Sequence, residues 1–145
     1  MSLLMLWVLN FAAIVLAGVI DPYQQFLPAW AGAVSFVMLF FYGFFLHMKA
    51  HKAVGRPKLR PEGPLKLVTT GAYARSRHPG YLGLILMGFS FALLFGSVLA
   101  AVVQGVFSGI WAAVAMNEER FLLEKFGKKY EAYKKKTGFM IPKWW

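Results

Sequence analysis

Two short polar clusters carry the residue types that could do chemistry. Arg77-His78-Pro79-Gly80-Tyr81-Leu82-Gly83 offers a guanidinium, an imidazole and a phenol within five positions, and Asn117-Glu118-Glu119-Arg120 holds two of the chain's six acidic residues. Pro79 is a good first-turn residue. The free backbone N–H groups of a helix beginning there, with the positive dipole end and Arg77, would bind an anion such as a carboxylate. Glu118 and Glu119 lie in a basic neighbourhood and would bind an ammonium or another cation. Each cluster alone has a plainer reading. Arg77 and His78 could mark a headgroup boundary, and the glutamates could pair with Arg120, Lys125 or loop lysines.

The stretch between the clusters favours a joint site. Residues 81–116 contain no charge. As one straight helix they would be about 54 Å long, against a hydrocarbon core of about 30 Å. Folded at Gly96-Ser97, they form two legs of about 24 and 29 Å. Such a hairpin brings Arg77-His78 and Glu118-Glu119 to its two feet, on one side of a membrane.

Composition agrees with a membrane setting. Of 145 residues, 59% are hydrophobic and 15% charged, whereas soluble domains run near 45–50% and 25%. Cysteine is absent, which excludes disulfides, thiolate metal sites and cysteine nucleophiles. His47, His51 and His78 do not have zinc-ligand spacing, and no metal is expected. The net charge of +10 does not point to nucleic acid, because all sixteen Lys and Arg fall in two blocks, Lys49 to Arg77 and Arg120 to Lys143. That segregation follows the positive-inside rule.

The elements that must position the clusters are helices. Residues 3–20 and 29–47 read as spanning segments, joined by Asp21-Pro22-Tyr23-Gln24-Gln25-Phe26-Leu27-Pro28. The basic, proline-containing connection 48–80 carries a short extended piece at Leu65-Lys66-Leu67-Val68 and a turn at Thr69–Tyr73. Residues 81–95 and 98–116 form the hairpin. Leu122, Phe126, Tyr130 and Tyr133 recur at helical spacing, which predicts one amphipathic helix from Asn117 to Thr137, lying at the interface or over the site. The expected fold is all-α: one domain, 1–145, with four transmembrane helices and a C-terminal cytoplasmic amphipathic helix. Both termini are expected in the cytoplasm.

A ligand held by both clusters is anionic at one point and cationic at another. S-adenosylmethionine fits, with its adenine stacked on Tyr73, Tyr81, Tyr130 or Tyr133, and other zwitterions would fit too. At this point the residues resemble a family. Gly71–Gly83 is similar to the Arg-His-Pro-x-Tyr-x-Gly signature of isoprenylcysteine carboxyl methyltransferases and related phospholipid methyltransferases. Asn117–Tyr133 resembles their Glu-Glu-x-x-Leu-x-x-x-Phe-Gly-x-x-Tyr-x-x-Tyr pattern. The resemblance covers about residues 62–142. The tail Gly138-Phe139-Met140-Ile141-Pro142-Lys143 stands where the family reads Val-Pro-Arg-Phe-Ile-Pro.

The resemblance implies S-adenosylmethionine as cofactor. It places His78, Pro79, Tyr81, Leu82 and Gly83 along one side of its pocket and Glu118 and Glu119 along the other, with Tyr130 and Tyr133 closing over it. The implied reaction is methyl transfer to a lipophilic acceptor in the membrane: an isoprenylcysteine-like carboxylate, a phospholipid amine or another small lipophile. A carboxylate needs no base; for an amine or thiol, Glu119 or His78 is the candidate. Arg77, His78 and Glu119 are the expected catalytic residues. The competing classes are an intramembrane reductase of the related sterol-reductase type and a small membrane transporter or scaffold. The spans hold no ionisable residue except His47 at one end, which counts against proton-coupled transport.

Overall fold

A computed structural model describes residues 2–21, 26–54 and 66–143. Among them the chain forms five α-helices: α1 (Leu3–Ile20), α2 (Ala29–Val54), α3 (Pro79–Phe95), α4 (Val98–Phe126) and α5 (Lys128–Lys136), with a 3-10 turn at Gly71–Ala74. The prolines of 55–65, the expected extended piece from Leu65, and Tyr23 lie wholly or partly outside the described residues.

Three helices, α1, α2 and α4, are long and apolar enough to cross a membrane, which makes this a multi-pass membrane protein. The third expected span is shorter. α3 has 17 residues, about 25 Å at ~1.5 Å per residue, and the described residues therefore give three clear spans plus one short apolar helix. The second expected span is longer than the apolar run, because α2 continues through Lys49, His51 and Lys52 to Val54. Nothing in those residues breaks a helix.

The predicted helix from Asn117 to Thr137 is not one element. α4 runs unbroken through Asn117 to Phe126 and stops at Gly127, whose φ of 49° is a conformation that disfavours side chains. The chain then turns and restarts as α5. That turn gives Tyr130 and Tyr133 a different direction from Leu122 and Phe126: the two tyrosines are buried, whereas Leu122 and Phe126 are half-buried.

The helices alternate in direction. At one end, Asp21 after α1 accepts hydrogen bonds from the Ser97 hydroxyl at 2.5 Å and the Leu99 amide at 3.1 Å, and the Phe26 amide donates to the Gly96 carbonyl. The α1–α2 connection and the α3–α4 tip therefore share one face. At the other end α2 meets the start of α3, where the His47 Nδ1 lies 3.0 Å from the Gly80 carbonyl oxygen.

The closest helix crossing is between α2 and α3. A Cβ on Gly43 would lie 2.7 Å from the Gly83 carbonyl oxygen, and one on Gly83 would lie 2.9 Å from the His47 amide nitrogen. Only glycine permits that approach, the small-residue packing expected in lipid. α1 is tied to α4 by polar groups instead. The Asn10 amide donates to the Gln104 side-chain oxygen at 3.0 Å, and the Trp111 indole N–H donates to Asn10 Oδ1 at 3.0 Å. All three side chains are buried. Leu6, Leu84, Met87 and Trp111 form the core layer beneath α3's first turns, with Tyr81 packed against it.

Candidate functional site

The two polar clusters meet where the hairpin's feet come together. His78 is the residue before α3 and Pro79 its first, so Arg77 and His78 sit at the helix entrance with side chains free to reach α4. Glu118 and Glu119 are consecutive on α4, about 100° apart around its axis, and they take different partners.

Glu119 is the hub of an ion network. The Arg77 Nε donates to its Oε1 at 2.5 Å, the His78 Nε2 lies 3.3 Å from the same oxygen, and the Lys134 Nζ lies 2.9 Å from Oε2. Burial works to raise the Glu119 carboxyl, but hydrogen bonds and charge from Arg77 and Lys134 outweigh it. Its pKa is held below the usual carboxylate range, so Glu119 is an anion at neutral pH.

Glu118 is oriented by Tyr81, whose hydroxyl donates to its Oε1; its Oε2 lies 3.8 Å from the His78 Nδ1. Its side chain is 45% exposed, against 10% for Glu119. Glu118 is therefore the carboxylate open to a ligand. Burial of part of the group pushes its pKa up, and the Tyr81 hydrogen bond offsets some of that.

His78 is buried and lies between the two glutamates. Desolvation lowers its pKa; attraction to Glu119 opposes this, and Arg77 and Lys134 reinforce it. The ring is thus neutral at pH 7. A neutral ring donating from Nε2 to Glu119 leaves Nδ1 as an acceptor.

The tail completes the wall. The Arg77 Nη1 donates to the Thr137 carbonyl at 2.6 Å and to the Lys134 carbonyl at 3.2 Å. The Arg77 and His78 amides donate to the carbonyls of Gly138 and Phe139, while the Gly138 and Lys143 amides donate to Arg75. Ser76 adds a side-chain bond to the Met140 carbonyl at 2.7 Å. Phe139 packs edge-on against His78 and lies under the Arg77 guanidinium, 5.7 Å from ring centroid to Cζ. Through Nε and Nη1, Arg77 holds Glu119 and the tail in place.

Tyr133 donates to the Tyr73 carbonyl at 2.7 Å, which ties α5 to the 3-10 turn. Tyr130 lies beside Tyr133 and is fully buried, and its hydroxyl has no hydrogen-bond partner among the described residues. Burial and the nearby Glu119 both raise its pKa, so it is a phenol, able to donate.

A family model for phospholipid methyltransferases matches residues 33–129. The chain belongs to the phospholipid methyltransferase family. It is 34% identical over 100 residues to a protein-S-isoprenylcysteine O-methyltransferase of Saccharomyces cerevisiae, covering 67% of this chain and 41% of that one. It is 31% identical over 109 residues to methanethiol S-methyltransferase 1 of Bradyrhizobium diazoefficiens, covering 74% of this chain and 36% of the relative. A Schizosaccharomyces pombe protein-S-isoprenylcysteine O-methyltransferase is 33% identical over 79 residues, covering 52% and 33%. The chain thus spans well under half the length of these relatives. The family match includes α2, α3 and α4 with both clusters and ends before Tyr130, Tyr133 and Lys134.

The structure brings Arg77, His78, Tyr81, Glu118 and Glu119 together, with Tyr130 and Tyr133 in the adjoining α5 layer. It does not bring Gly83 to the glutamates, since Gly83 faces α2. Pro79 is buried at the helix start and Leu82 is half-buried one turn in. Sequence reasoning missed Lys134, Phe139 and Trp111. Trp111 stacks on Tyr81 with centroids 5.5 Å apart. It stands seven residues before Glu118, two turns along one helix face, a spacing that could have flagged it.

Proposed function

We propose that this protein transfers a methyl group from S-adenosylmethionine to a lipophilic acceptor at the feet of α3 and α4. The observation that carries the reading is the half-exposed Glu118 carboxylate, held by Tyr81 and next to a neutral His78. Glu118 would take the donor's ammonium, and the first-turn N–H groups of α3 and the Tyr130 hydroxyl beside Glu119 would take its carboxylate or ribose oxygens. The residues fit the group, because they offer an anion, helix-end donors and aromatic rings in one place. When bound, the sulfonium supplies the methyl as an electrophile and departs as a neutral thioether.

The chain's own residues align and desolvate. Orientation can account for about 7–11 kcal/mol of a barrier. Arg77 holds Glu119 against His78 and fastens the tail; Phe139 and Tyr133 keep water from the inner wall. The relatives' names cover two kinds of acceptor, an isoprenylcysteine and methanethiol. For a carboxylate acceptor no proton moves. For a thiol or amine, His78 Nδ1 would receive the proton, and Glu119 would stabilise the resulting imidazolium through Nε2.

The same reading makes α3 a fourth, short span, packed among the other three helices. It puts both termini and the site on the cytoplasmic side, where the basic residues lie, with α5 at the membrane surface. The test is titration of detergent-solubilised protein with S-adenosylmethionine and its demethylated product. Ligand at 100 times its dissociation constant should stabilise the fold by about 2.7 kcal/mol, seen as a raised thermal midpoint. No shift with either compound, in protein that unfolds cooperatively, would remove the proposal.

A further inference from the structure

A cavity of about 290 Å³ opens between α1, α2 and α3. Trp7, Ile14, Phe40, Phe44, Leu84 and Met87 form most of its wall, and among the described residues no Asp, Glu, Lys or Arg lines it. Asn10 and His47 are among its lining residues. The Asn10 side chain is committed, its nitrogen to Gln104 and its oxygen to Trp111. His47 is different. Its Nδ1 faces the Gly80 carbonyl, which can only accept, so Nδ1 carries the hydrogen and Nε2 of the neutral ring is an acceptor. Gly80 lies between Pro79 and Tyr81, so this end of the cavity abuts the foot of α3 that carries the candidate site.

We infer that this cavity binds the acceptor: an uncharged, slim lipophile whose head carries a hydrogen-bond donor, such as a thiol, directed at His47 Nε2. Two features exclude other heads, and a third limits the size of the tail. A phosphate or ammonium would enter a wall without a counter-charge. A carboxylate would meet an acceptor nitrogen, lone pair against lone pair. The volume is at the small end of ligand pockets, roughly 300–1,000 Å³, which favours one short chain or ring system over a two-tailed lipid. As a statement about the methyl acceptor this rests on the proposed function, but the binding itself does not.

The experiment separates the two. Protein in nanodiscs is titrated, without any methyl donor, with a terminally brominated alkanethiol and with its S-methyl thioether. Quenching of Trp7 is isolated by difference against Trp7→Phe. The expected result is saturable quenching, with the thiol bound about 2- to 10-fold more tightly than the thioether, the worth of one neutral hydrogen bond. His47→Phe should bring the thiol to the thioether's affinity, and His47→Gln should restore part of the difference. Equal affinity of thiol and thioether in the wild type overturns the inference and leaves a crevice filled by lipid tails. Unsaturable quenching overturns it as well. Because no variant enters the wild-type comparison, a misfolded His47→Phe does not rescue the idea. Binding without methyl transfer would count against the proposed function alone.

Discussion

The Arg77 guanidinium and the Glu119 carboxylate, 42 positions apart in sequence, meet at 2.5 Å where the hairpin's two feet converge. Both side chains are nearly buried, 12% and 10% exposed. Removing Glu119 leaves both Arg77 and Lys134 without the counter-charge they share. Glu119→Gln should therefore cost more than the ~1 kcal/mol of an exposed pair and approach the ~3–5 kcal/mol of a buried one. Thermal unfolding in detergent measures this. A midpoint within a degree of wild type would show that Glu119 is not the structural hub.

Tyr81→Phe keeps the ring that stacks on Trp111 and deletes the hydroxyl that orients Glu118. Stability should change little. S-adenosylmethionine affinity should fall by about 1.5–3 kcal/mol, the scale of a hydrogen bond to a charged group, as Glu118 loses its fixed position. Isothermal titration of both proteins decides it. Unaltered affinity would assign Glu118 to solvent rather than to a ligand.

His78 sets a pH limb. Its folded pKa lies below the ordinary 6.5, so the unfolded chain takes up the ring's proton first as pH falls. Stability should rise with pH through the window between the folded value and 6.5, then level off. Glu119 acts in a separate, more acidic range: its folded pKa is depressed, and its contribution is lost as pH falls through that value. In a pH 5–8 series of thermal midpoints, His78→Gln should be flatter than wild type. Identical slopes would exclude His78 as the titrating group.

Asp21→Ala tests the far end. Asp21 accepts from Ser97 and Leu99, so it caps α4 from the end of α1. Its loss should destabilise by about 1–2 kcal/mol, a typical capping effect. Cofactor affinity should remain within twofold, because the site is at the opposite end of both helices. A large loss of binding would mean that the α3–α4 tip and its feet are coupled.

The resemblance puts Gly83 along the cofactor pocket, but the folded chain sets it against Gly43 and so turns it toward α2.

What sequence alone determined is what depends on local pattern: uncharged runs of span length, charge segregated into two blocks, and two polar clusters flanking one foldable apolar segment. Hydropathy and helix rise are properties of consecutive residues, so the apolar helices and the α3–α4 turning point are legible without a partner, while the length of α3 as a span is not. Tertiary structure decided the rest, because pairing depends on side-chain direction. Two adjacent glutamates, equivalent in sequence, separate into an anchored Glu119 and an open Glu118 only when Arg77, Lys134 and Tyr81 approach from different sides. The break at Gly127 requires a backbone angle that spacing does not encode, and it brings Lys134 back to Glu119. His47, a residue at the end of a span in sequence, gains a hydrogen-bond direction only from the Gly80 carbonyl that α3 presents to it.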